Sequence, residues 1–112
     1  MNEDKEYSPH KAIDYIIANA GRFAKAKSER IYIEEYRKSL KAILMKQSGQ
    51  SVIAAQEREA YAHDDYAALL AGLREAVETE EKLRWDLIAA QARVEVWRTE
   101  QANNRSQEKL TM

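Results

Sequence analysis

The chain has 112 residues, no cysteine and a formal net charge of −1. That length suits one domain, the missing thiols exclude disulfides and thiolate or cysteine-held metal chemistry, and the near-zero charge selects no partner class by itself. One proline and three glycines interrupt a composition that is 33% charged, the signature of long helices.

The first six residues carry charge without an apolar centre, which argues against a leader peptide. No apolar run approaches the ~20 residues of a membrane span. The expectation is a cytoplasmic protein. Residues 1–8 read as a flexible polar tail. Ser8-Pro9 then forms a helix start, with serine capping the free amides and proline at the first helical position. A helix is predicted over 9–47, continuous through Gly21 because a glycine costs only ~1 kcal/mol there. Ile13, Ile16, Ile17, Ala20, Phe23 and Ala24 make one apolar stripe, and Ile33, Tyr36, Leu40 and Ile43 a second in shifted phase. Ser48-Gly49-Gln50-Ser51 stops this helix, with Gly49 as the residue just past its end.

Ser51 is expected to cap a short helix over 52–62. His63-Asp64-Asp65 interrupts it, and either aspartate suits the cap of a last helix over 65–103. That helix has the most regular pattern in the chain. Positions 62, 66, 69, 73, 76, 80, 83, 87, 90, 94 and 97 alternate steps of four and three, and all but Glu80 are apolar or aromatic, a sustained heptad seam. Leu70, Val77, Trp85, Ile88, Ala92 and Val96 widen the face, which implies more than one neighbour. Residues 104–112 read as a second flexible tail. The fold class is all-α: one helical domain over 1–112, an antiparallel, coiled-coil-like hairpin of long helices with a short connecting helix. Two long helices leave the wide face uncovered, so dimerisation into a helical bundle is expected.

Charge is distributed unevenly. Residues 1–50 hold ten Lys/Arg against seven Asp/Glu, and residues 51–112 eight against twelve. Arg22, Lys25, Arg30, Arg37, Lys38 and Lys41, interleaved with Phe23, Tyr32 and Tyr36, are candidate nucleic-acid contacts, since cations track phosphates while aromatic rings stack on bases. The same cations serve equally as a solvated face or as partners for the acidic last helix. Glu80, inside the acidic run Glu75, Glu78, Glu80 and Glu81, is expected to pair with a base from the first helix. Glu78 and Glu81 also suggest the ExxE half of a magnesium site of the kind found in all-α nucleotide pyrophosphohydrolases. The second half is missing, because Asp86 is wrongly spaced and Lys38 follows Glu34-Glu35 where a ligand is needed. His10 and His63 match no zinc spacing. No catalytic, cofactor or metal residues are assigned. Tyr66, Leu73, Leu83, Trp85, Leu87, Val94 and Trp97 are the candidate protein interface, with tryptophans as anchors.

The segments RIYIEEYRKSLKAILM (30–45) and EEKLRWDLIAAQARVEVWRTEQANNR (80–105) resemble small helical proteins of bacteriophages and prophages, often encoded among recombination and replication genes. Beside the wide apolar face, the two tryptophans and the absence of catalytic groups, which point to a non-enzymatic adaptor that is a homo-oligomer (dimer favoured) with a phage or host protein partner, the resemblance implies a phage accessory factor, acting in the host cytoplasm. It assigns no functional residue.

Overall fold

The computed structural model describes residues 8–111. Three helices follow one another, α1 (Pro9–Gln47), α2 (Ile53–Ala62) and α3 (Asp64–Thr111), and the long helices α1 and α3 pack against each other. Of the tail expected over 1–8, residues 1–7 lie outside the described residues, and Ser8 stands at the start of α1. At the start of α1 the Lys11 amide donates to Ser8 Oγ at 3.2 Å, so the serine caps as expected. α1 runs unbroken through Gly21, where an added Cβ would meet nothing within 4 Å. α3 continues to Thr111, past the expected end at 103. Residues 104–110 contain no glycine or proline, and Gln107 to Lys109 are good helix formers.

The two connections differ from expectation. No described residue, glycine or otherwise, adopts a positive φ, so Gly49 makes no left-handed cap. α1 ends instead with the Ser48 amide donating to the Met45 carbonyl and the Gln50 amide donating to Ser48 Oγ. Ser51 does not cap α2. Val52, in extended conformation, precedes it, and the Ala55 and Gln56 amides donate to the Val52 carbonyl. His63, not an aspartate, caps α3: its Nδ1 accepts from the Asp65 amide at 3.0 Å, and its carbonyl accepts from Tyr66 and Ala67. Asp64 and Asp65 occupy the first turn, where their charge complements the positive end of the helix.

On α3 the heptad seam from Tyr66 to Val94 is buried or half-buried throughout, as the spacing predicts. α1 departs from its expected stripes. Its inward positions are Ala12, Ile16, Asn19, Phe23, Ala26, Arg30, Ile33, Leu40 and Leu44. These hold one phase along the helix in steps of three and four, broken only by exposed Arg37. The expected phase shift does not occur. Ile13, Ile17, Tyr36 and Ile43 are exposed because they flank a seam built partly of small and polar residues.

The chain divides into two compact units. The first joins α1 as far as Phe23 to α3 from Lys82 onward. Its described buried residues are Ala12 and Ala90, and Ser8, Lys11 and Tyr15 share a groove with Arg93, Ala89 and Asp86. α1 and α3 run antiparallel: Arg30 meets Glu80, while the later Leu40 and Leu44 share a core with the earlier Tyr66. The second unit, Ala24–Glu81, contains α2 as a third helix. There Leu40, Leu44, Ala60 and Tyr66 form a core, with Met45 and Leu69 against it, and the Tyr61 ring meets Tyr66 edge-on at 5.2 Å between centroids.

Glu59 ties the connector between α1 and α2 to the second unit. Its carboxylate accepts from Ser48 Oγ at 2.6 Å and from Gln50 Nε2 at 2.9 Å. The Ser48 bond first, then the Gln50 bond, hold this carboxyl below the usual carboxylate range. A depressed folded-state pKa gives stability that is present above the unfolded glutamate value and lost as pH falls through the folded one. Protection of the Gln50 amide, measured against its intrinsic exchange rate, is therefore expected to fall below about pH 4, and Glu59→Gln should abolish that dependence in hydrogen-exchange NMR.

Candidate interaction surfaces

The one charged group buried among the described residues is Glu80, at a seam position of α3. Arg30, at a seam position of α1, meets it with two parallel bonds: Nε donates to Oε2 at 2.6 Å and an Nη to Oε1 at 2.9 Å. The other Nη donates to Glu34 at 3.0 Å. The Glu80 bonds foremost hold the Arg30 guanidinium firmly protonated, above its ordinary value. Glu80 thus pairs with a base of the first helix, as the sequence suggests. Among the described residues no group of three or more His, Asp or Glu side chains converges on a point that could hold a metal ion.

The six candidate nucleic-acid contacts are not one array. Arg30 is turned into the seam. Lys41 is docked on α2, 3.3 Å from Glu57 and with its ammonium 4.8 Å from the Tyr61 ring centre. Tyr61, then Glu57, raise the Lys41 pKa. Lys38 pairs with Glu35 at 3.3 Å on the surface, which contributes little. Arg22, Lys25 and Arg37 are exposed. Nearby, Tyr32 and Tyr36 stack with planes 8° apart and centroids 6.1 Å apart while remaining open to solvent. The docking of Lys41 on Tyr61 and Glu57 was not legible in the sequence, since it depends on where α2 folds.

The seven candidate interface residues separate into two groups. Tyr66 is buried in the core of its own chain, and Leu73, Leu83, Leu87 and Val94 are half-buried on the α3 seam. Trp85 is 58% exposed and Trp97 41%. The Arg84 guanidinium lies 4.8 Å from the Trp85 ring centre, a cation–π contact on the solvent side. The sequence's second apolar line, Leu70, Val77, Trp85, Ile88, Ala92 and Val96, is exposed along its whole length.

No family model, curated protein or solved structure matches this chain. Among the described residues no helix is long and apolar enough to cross a membrane.

The Arg30–Glu80 pair carries a stability prediction. Arg30→Met deprives a buried carboxylate of its bidentate donor, and removing one partner of such a pair is far more damaging than replacing both. The single variant should melt roughly 5–10 °C lower, and Arg30→Met/Glu80→Leu should recover most of the loss by completing the apolar seam. Thermal unfolding followed by circular dichroism reads both.

Proposed function

We propose that this protein is a non-enzymatic accessory or adaptor protein that works by self-association and protein–protein contact, and that it serves phage DNA recombination or replication, the setting its sequence resemblance implies. One observation carries the first part. Ile13, Ile17, Trp85, Ile88, Val96 and Trp97 are exposed in the first unit, whose described buried residues are two alanines. Monomeric proteins rarely leave large apolar side chains outside while small ones fill the interior, and clusters of this kind mark association surfaces. The protein is expected to act in the host cytoplasm. Size exclusion with light scattering at tens of micromolar should give twice the 12.9 kDa of one chain; a single-chain mass at that concentration overturns the reading.

Binding of single-stranded nucleic acid is a second reading, favoured by the exposed Tyr32–Tyr36 stack with Lys25 and Arg37 on the same helix. Base stacking on an aromatic is worth about 1–3 kcal/mol. Tyr32→Ala should then weaken binding of a labelled oligonucleotide about tenfold in fluorescence anisotropy at low salt. No binding by the native chain at low salt removes this reading.

A further inference from the structure

We infer that the second copy docks on the outward face of α3 along Trp85, Ala89, Ala92 and Val96, with the two α3 helices antiparallel about the Ala89–Ala92 midpoint. This rests on the self-association proposed above and names its surface.

Three observations converge on that face. Between Leu83 and Trp97, α3 is apolar on both sides. Leu83, Leu87, Ala90 and Val94 turn inward, while Trp85, Ala89, Ala92 and Val96, spaced four, three and four apart, are all exposed. A helix with apolar stripes on two opposite faces has room for two neighbours, and the chain itself provides one.

Area is the second. Trp85, Ile88, Ala89, Ala92 and Val96 leave roughly 400 Å² of apolar surface in water. If all of it were covered, at about 60% apolar content, the interface would reach at most roughly 700 Å² per partner, just under the ~800 Å² of a standard complex. The shape suits close helix contact: two alanines at the centre let the backbones approach, and larger groups close each end.

Charge decides the direction. Along one flank of the stripe stand Asp86 and Arg93, both also on the wall of the groove shared with Lys11 and Tyr15. Antiparallel pairing brings Asp86 opposite Arg93 of the second copy, twice over by symmetry, with Trp85 opposite Val96 and Ala89 opposite Ala92. Parallel pairing would turn that flank toward the opposite one and set Asp86 near Glu81 of the second copy, which like-charge repulsion disfavours.

The cysteine-free sequence makes the test direct. Native protein is first sized by light scattering, where a monomer defeats the self-association reading itself. Ala89→Cys and Ala92→Cys variants are then oxidised mildly, alone and as an equimolar mixture, because a disulfide needs Cβ atoms within about 4.5 Å. The mixture should cross-link several-fold more than either variant alone. Preferential cross-linking of each variant with itself would overturn the antiparallel arrangement, and no cross-linking of a native dimer would overturn the face. Ala92→Glu should weaken dimerisation at least tenfold with helicity unchanged, whereas Ile17→Glu on α1 should leave it intact. The reverse result would move the interface to α1.

Discussion

Two helices lying side by side have no inside. Each hides only the seam that faces the other, and every other position remains in reach of water, so the size of the side chains a helix pair can bury depends on a third element laid over it. This constraint orders the whole molecule. Where α2 covers the second unit, Leu40, Leu44 and Tyr66 are buried. Where the first unit has only α1 and α3, burial falls to Ala12 and Ala90, and bulkier groups stand outside. Burying a large apolar side chain contributes about 1.5–3 kcal/mol, so a second copy covering Trp85 and Val96 would give the first unit what α2 gives the second.

The Arg30–Glu80 pair acts within the same constraint. A seam of leucines and alanines tolerates sliding by a heptad, since one apolar layer resembles the next. A bidentate guanidinium–carboxylate pair resists it: a slide that brings Phe23 opposite Glu80 strands the carboxylate, and the opposite slide must turn Arg37, which is exposed, into the seam. Such pairs typically add little net stability over an apolar replacement, and their best-attested use is to favour one alignment of the helices that carry them. Ser8 and His63 fix the starts of α1 and α3 by accepting backbone amides, so the ends and the register have separate, local causes.

The α3 seam was legible in the sequence because every inward position from Tyr66 to Val94 but Glu80 is apolar or aromatic, and the period stands out. The α1 seam was not, because Ala12, Asn19, Ala26 and Arg30 lie inward while Ile13, Ile17 and Tyr36 flank them. A count of apolar residues follows the flank. The caps at Val52 and His63 were missed for a related reason: serine and aspartate are the commoner caps, and backbone geometry chose their neighbours. Glu80 was found because a lone carboxylate in an apolar period demands a partner. The candidate surface was half legible. Trp85 stood out as an interface residue, but Tyr66 looked the same in sequence and proves to be core, since only the placement of α2 distinguishes them.

Function follows from what the helices leave uncovered. On the reading proposed above, the exposed face that carries Trp85 beside small residues meets the same face of a second copy. Thermal unfolding by circular dichroism over a hundredfold range of protein concentration reads that dependence in one experiment. If the second copy completes the fold, the midpoint should rise by roughly 5–10 °C from the lowest to the highest concentration. A midpoint that stays fixed across the range, with helicity unchanged, would mean that the single chain is stable with its apolar face in water, and would contradict this account.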